Sequence, residues 1–493
     1  MNLADAFSIC ARKHSEKIAI FWGGREISYA GLLAQSLNAA ARLQNQFGVK
    51  PGDRVALWLK NCPEFVPGVF GILQAGAVVV PINNFLKPAE VAFILNDSGA
   101  KGVISDVSLA EAQTQVARLL PGLRILSAEE IGNGAFQIAD FKPVERGEAD
   151  LAALLYTSGT TGHPKGAMLT HGNFLHNVAS CVEVLAVRAD DRVVVALPQF
   201  HSFMFTVGSL LPCLTGCGIV LIKTLHPFKS LLEEIARHHG TILPSVPAFY
   251  RAVLAVPEFG RLPLRLCISG GAPLPAEVFN QFTRTFSFPL REGYGPTESS
   301  PVATVNPIYG ENRPGSVGKP IPHVELSIRD ESGSELPVGA TGEICIRGGN
   351  VMQGYWNQPE ETKKVFRDGW LLTGDVGHRD ADGYYYITDR KKDMLIVNGI
   401  NVYPREIEEV IYQFPGVKEA AVIGVPDARR GEQPVAFVAA ADGQTIDEKA
   451  LLQFIRDRLA DYKMPKQITM LPVLPKNATG KILKTELRKQ AAK

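Results

Sequence analysis

Short apolar runs with almost no polar interruption recur through the first half of the chain, each followed by a stretch of helical composition. Before residue 150 they are RVALWL at 54–59, AVVVPI at 77–82 and GVIS at 102–105; after residue 190 they are RVVVALP, GIVLI, TILPSV and LRLCISG. A strand that is apolar on both faces needs cover on both faces. Strands alternating with helices obtain that cover as a parallel sheet with helices above and below. From about residue 315 to 350 the texture changes. VELSIRD and GEICIRG alternate apolar with polar residues between Gly, Pro and Asp, which fits antiparallel strands of a smaller barrel-like unit. After DGYYYITDRKKD at 382–393, the pattern predicts a helix over Pro404–Tyr412, strands near 419–425 and 434–441, and a helix over 447–459.

At 493 residues the chain exceeds one core, since domains hold roughly 100–200 residues. The expected class is α/β. A large N-terminal domain of parallel and mixed sheets with helices, carrying the barrel-like unit, spans 1–390; a small α+β C-terminal domain spans 391–493, with the charged run 389–393 as linker. The 51 basic and 50 acidic side chains leave a net charge of +1, which gives no field for nucleic acid, so none is expected as a partner. Seven cysteines without metal-ligand spacing argue against zinc or a disulfide framework and for reduced thiols in a cytoplasm.

The N-terminus, MNLADAFSICARKHSEK, mixes acid and base without an apolar core and does not read as a signal peptide. The most apolar run, 65–82, is broken by Pro67, Gly68, Gly71, Gln74, Gly76 and Pro81. A membrane span needs about 20 apolar residues, so a buried helix followed by the strand AVVVP is expected, and no integral membrane segment. Oligomeric state, a homodimer included, and peripheral membrane contact are not written in the chain.

Directly after the apolar run LAALL stands Tyr156-Thr-Ser-Gly-Thr-Thr-Gly-His-Pro-Lys-Gly166. Gly159, Gly162 and Gly166 allow backbone amides to converge on an anion, Thr157, Ser158, Thr160 and Thr161 add hydroxyls, and Lys165 adds a charge. The string does not satisfy the G-x-x-x-x-G-K-[ST] phosphate loop. Alone it supports phosphate binding or a polar surface turn.

LLYTSGTTGHPKGAMLTHGN (154–173) resembles the signature of the adenylate-forming superfamily of acyl-CoA synthetases, adenylation domains and luciferases. LPQFHSF, ISGGAPL, GYGPTESSPV, TGEICIRG, GYW, GWLLTGDVG, TDRKKDMLIVNGINVYPREIE and PKNATGKILK follow in that family's order across nearly the whole chain. The resemblance implies ATP, Mg²⁺ and coenzyme A as cosubstrates and cofactor, a carboxylic acid as substrate, and a C-terminal domain that rotates. It implies Lys481, Glu298, Thr157 and His201 as the catalytic set. Tyr294 would lie against adenine and Thr297 would hold the α-phosphate. Glu298 would hold Mg²⁺, a hard cation that takes oxygen ligands and usually bridges substrate phosphates. Asp375 would hold the ribose hydroxyls beside Arg390, and Gly270, Gly271 and Ala272 would line the nucleotide. Glu292, Gly293, Gly295 and Ile387 complete that set. Lys392 becomes the hinge, and Asn398 and Gly399 replace Lys481 in the thiol-transfer state, with Lys223 a further candidate for coenzyme A phosphates.

For the acid, Phe200, Phe203, Met204, Val246, Tyr250, Pro301 and Val302 are expected as an apolar wall. No Asp stands near His201 to hold an amino group, and Gly293 leaves space where acetate-activating relatives place Trp. The resemblance leans to a medium- or long-chain fatty acid. Aryl ligases of the coumarate type are the alternative, weakened by Ile396, Asn398 and Glu292 where those enzymes commonly carry Lys, Lys and Gln. Loading onto a carrier protein is a second alternative, for which no rotation-blocking insertion is visible between Gly342 and Lys392. A non-catalytic descendant would be expected to have lost Glu298, Asp375 or Lys481, and all three are present.

Overall fold

A computed structural model of the chain describes residues 1–133, 141–157, 164–225, 227–398, 400–427, 429–477 and 480–491. The apolar runs become parallel strands in two sheets. One sheet has six strands, ordered Ile125–Ser127, Gly102–Ser105, Arg54–Trp58, Val78–Pro81, Leu151–Thr157 and Lys165–Thr170, parallel except for the last pair. The other has nine, with Leu290–Tyr294, Leu266–Ser269, Ile242–Ser245, Arg192–Val195, Gly218–Leu221 and Ile18–Trp22 parallel in its middle and antiparallel pairs at both edges. Val78–Pro81, Gly102–Ser105, Gly218–Leu221, Ile242–Ser245 and Leu266–Ser269 are buried at every position, which is why they carry no polar alternation.

The run at 65–82 is a buried helix, Phe65–Gln74, leading into Val78–Pro81. It packs on the helix Tyr29–Phe47 so closely that a Cβ at Gly71 would lie 2.5 Å from that of Ala39. Among the described residues no helix is long and apolar enough to cross a membrane. All seven cysteines are free thiols.

Strands Val324–Arg329, Gly342–Gly348, Phe366–Arg367, Trp370–Arg379 and Tyr385–Arg390 form an antiparallel five-stranded sheet, the half-barrel that the alternating segments predict. Beyond it, Leu395–Val397, Ile400–Val402, Val417–Asp427, Gly431–Ala440 and Ile468–Met470 build a separate sheet. Helices Pro404–Tyr412 and Glu448–Arg456 bury Ile407, Ile411, Leu451 and Ile455 against it, giving this part its own core. A final helix, Lys484–Ala491, was not foreseen; its composition is charged and only Leu487 is buried.

The C-terminal part rests on the rest of the chain through a few polar contacts. Arg251 donates to the carbonyl of Val417 at 3.0 Å and stacks on Tyr412 at 4.8 Å, and the Ala276 amide donates to Glu409 at 3.4 Å.

Candidate active site

The parallel strands of the large sheet point their C-terminal ends at one crevice, the position where open α/β sheets bind ligands. Leu266–Ser269 runs into Gly270 and Gly271, and Leu290–Tyr294 runs into Gly295. At Gly295 a Cβ would lie 1.7 Å from the carbonyl oxygen of Pro301, so no side chain fits there.

Asp375 and Arg390 are register partners on adjacent strands, Trp370–Arg379 and Tyr385–Arg390. Arg390 Nε meets Asp375 Oδ1 at 3.0 Å, and the Tyr294 hydroxyl donates to Asp375 Oδ2 at 2.7 Å. Asp375 is thus buried and oriented from two sides, and its charge raises the basicity of Arg390 above the usual guanidinium range. The hydroxyls of Thr297 and Ser202 lie 3.0 Å apart, tying the turn Thr297–Ser299 to the segment that carries His201.

Glu298 accepts a hydrogen bond from Tyr355 at Oε1, 2.7 Å away. Among the described residues no cluster of three or more His, Cys, Asp or Glu could hold a metal by itself. A single oriented carboxylate fits an Mg²⁺ that takes its remaining ligands from phosphates and water. Lys165 differs from expectation. Its Nζ donates to Glu361 at 2.5 Å and lies 5.3 Å from the Tyr355 ring centre, so its charge is matched inside the protein. Lys165, followed by Lys364, holds the Glu361 carboxyl down at about 2. Thr157 ends the strand Leu151–Thr157 at the same edge, while Ser158, Gly159, Thr160, Thr161 and Gly162 lie outside the described residues.

Lys481 reaches the crevice from the C-terminal part. Burial first, then the charge of Arg390, push its ammonium down to about 8, with Asp375 opposing. Burial, then the charge of Lys481, push His201 down to about 4, so its ring is neutral at pH 7.

A cavity opens beside these groups. His201, Phe203, Gly270, Gly271, Gly293, Tyr294, Gly295, Pro301 and Val302 line it, together with Cys181, Val184, Leu185 and Val207, which sequence reasoning missed. Four expected wall residues do not line it. Tyr250 is fully buried in a neighbouring core, its hydroxyl donating to the carbonyls of Leu243 and Ile268 at 2.5 and 3.1 Å. Met204 packs under the π-helical turn Met204–Leu210, and Phe200 is edge-on to Phe85 with ring centres 6.4 Å apart. Val246 stands between Gly271 and Gly480, beside the Lys481 loop.

Glu292 is buried behind the Gly270 loop, where its carboxylate accepts from the Leu274 amide at 2.9 Å, and burial pushes it up to about 7. It braces that loop from behind. The carbonyl of Ile387 receives Arg405 at 2.8 Å, and Ala272 follows Gly271 in the same loop. Lys223 and Lys392 are exposed, as is Asn398 at the tip of a hairpin with φ of 53°. Gly399 lies outside the described residues.

The family model of AMP-binding enzymes matches residues 7–356, and that of their C-terminal domain matches 406–481. The long-chain-fatty-acid–CoA ligase of Bacillus subtilis (strain 168) is 36% identical, over 99% of this chain and 94% of that protein. A feruloyl-CoA synthase of an Amycolatopsis species is 40% identical, over 97% of each. The crystal structure of ATP-bound MatB from Rhodopseudomonas palustris, 37% identical, covers 99% of both chains with a TM-score of 0.92. The apo crystal structure of the same protein, 36% identical, gives a TM-score of 0.78. The chain belongs to the AMP-binding enzyme family, as an acid–CoA ligase that uses ATP, Mg²⁺ and coenzyme A.

Proposed function

We propose that the acid is a medium- or long-chain fatty acid, and that the residues around the crevice divide the two half-reactions between them. The observation that carries the first part is the cavity lining: among the described residues it contains no Asp, Glu, Lys or Arg, and the one titratable base among them, His201, is neutral at pH 7. A second carboxylate or an ammonium on the substrate would be buried there without a partner, a cost of several kcal/mol. An alkyl tail meets only favourable burial, about 0.8 kcal/mol for each methylene. The likeness to a long-chain-fatty-acid ligase supports this reading, and the 40% identity to a feruloyl-CoA synthase favours an aryl acid as the second.

The first step joins a carboxylate oxygen of the acid to the α-phosphorus of ATP and expels pyrophosphate. Asp375, oriented by Arg390 and Tyr294, accepts hydrogen bonds from the ribose hydroxyls. Thr157 and Thr297 hold phosphate oxygens. Glu298, held by Tyr355, is the carboxylate that would bind Mg²⁺, whose charge offsets that of the phosphates. Lys481 lies where its charge stabilises oxygens that gain negative charge in the displacement. In the second step the coenzyme A thiol attacks the acyl carbonyl and AMP leaves. For that step Lys481 withdraws by rotation of residues 391–493 about Lys392, and the hairpin carrying Asn398 and Gly399 takes its place. The lower TM-score with apo MatB, 0.78 against 0.92 with the ATP-bound protein, supports such a motion.

Pyrophosphate release across a set of acids tests the substrate. Straight-chain fatty acids of medium or long chain are expected to have the highest kcat/KM, with dicarboxylic acids of equal length at least 10²-fold lower. A preference for ferulate would move the assignment to the aryl reading, and a preference for a dicarboxylic acid would contradict both. For the nucleotide, Asp375→Ala is expected to raise the KM for ATP roughly 10- to 150-fold, the worth of a hydrogen bond to a charged group, with a smaller change in kcat. A variant that kept the wild-type KM would remove Asp375 from the ribose.

A further inference from the structure

The helix His171–Val184 reaches the acid cavity with one face only. Asn177, Val184 and the C-cap residue Leu185 each lie three or four positions from Cys181 and so share its face. Cys181 is fully buried and Leu185 is 4% exposed, so the cavity stops against side chains with core behind them. The floor is held in place. The side-chain amide of Asn177 donates to the carbonyl of Val302 at 2.7 Å, and the Val302 amide donates back to Asn177 at 3.3 Å. Asn350 fixes the same carbonyl at 3.0 Å. The wall at Pro301 and Val302 is therefore pinned to the helix, and neither can yield without breaking buried hydrogen bonds. The Cys181 thiol, pushed up to about 12 by burial alone, remains protonated and acts as a small apolar group.

We propose that Cys181, Val184 and Leu185 determine the length of acid the enzyme accepts, by forming the floor against which the far end of the acid stops. The inference rests on reading this cavity as the acid site. A floor made of side chains, not backbone, can be raised or lowered by substitution. A bulkier residue excludes the longest acids, at roughly 10- to 200-fold for each methylene that no longer fits, whereas a smaller one admits longer acids.

The test is kcat/KM for pyrophosphate release with straight-chain acids from acetate to palmitate, in the wild type, Cys181→Phe and Val184→Ala. Cys181→Phe should move the optimum to shorter acids and lower the wild-type optimum at least 10-fold; Val184→Ala should move it to longer acids. An unchanged ranking of acids in both variants overturns the proposal. AMP binding by calorimetry reports whether Cys181→Phe folds; if it does not, Val184→Ala alone decides. Should the wild type activate none of these acids, the fatty-acid reading falls, an outcome distinct from an unmoved optimum.

Discussion

Replacing Lys481 by alanine is expected to slow acyl-adenylate formation by about 10²–10³-fold, the usual cost of removing one preorganised charge-stabilising donor. Thioester formation from supplied acyl-AMP should stay near the wild-type rate, because Lys481 is withdrawn in that step. Equal loss in both half-reactions would contradict the division of labour. The pH dependence gives a second readout. Burial and Arg390 hold the Lys481 ammonium at about 8 in the free enzyme, so its charge is present below that pH and lost above it. The kcat/KM for adenylation should therefore fall as pH rises through about 8. With phosphates bound, the charged form is favoured, and the fall in kcat should lie at higher pH. Lys481→Arg, which keeps its charge throughout, should lose this limb whatever its absolute rate, and thioester formation should not show it.

The complementary variant is Lys392→Pro, expected to reduce thioester formation by on the order of 10²-fold or more while retaining adenylation. Misplacing catalytic groups by even an ångström costs about that much. Lys392 is exposed in the turn 390–393, closed by the Asp393 amide donating to the Arg390 carbonyl at 2.9 Å. Proline locks φ and stiffens that turn. It also biases Lys391 toward extended backbone, so both half-reactions must be measured on one preparation. Rapid quench of each half-reaction distinguishes the outcomes. Loss of thioester formation alone places the rotation at this turn, and equal loss of both would place the hinge elsewhere.

Much of the fold was legible because its core strands are buried on both faces. RVALWL, GVIS and GIVLI have no polar alternation to hide their state, and Pro404–Tyr412 carries a clean apolar stripe. The pairing of Ile18–Trp22 with Gly218–Leu221 was not legible, since register across some 200 residues leaves no local mark. The helix Lys484–Ala491 buries one leucine and so shows no periodicity.

In the site, motif residues such as Asp375 and Arg390 could be named because their chemistry depends on residue type. What those residues touch could not be read. Nothing near Lys165 in sequence announces Glu361, 196 positions away. Tyr250 looked like a pocket wall because aromatic residues often are, yet its hydroxyl is satisfied by two backbone carbonyls. Cys181, Val184 and Leu185 were overlooked because, on a helix, they look like ordinary core residues.

The acid passes through a mixed anhydride with AMP before it meets coenzyme A. This order is tested most directly by supplying an acid labelled with ¹⁸O in its carboxylate and weighing the AMP released in the presence of coenzyme A. If the carboxylate oxygen attacks the α-phosphorus and later leaves with AMP, each AMP carries one heavy oxygen. Unlabelled AMP, or ADP and phosphate as the products, would contradict the account.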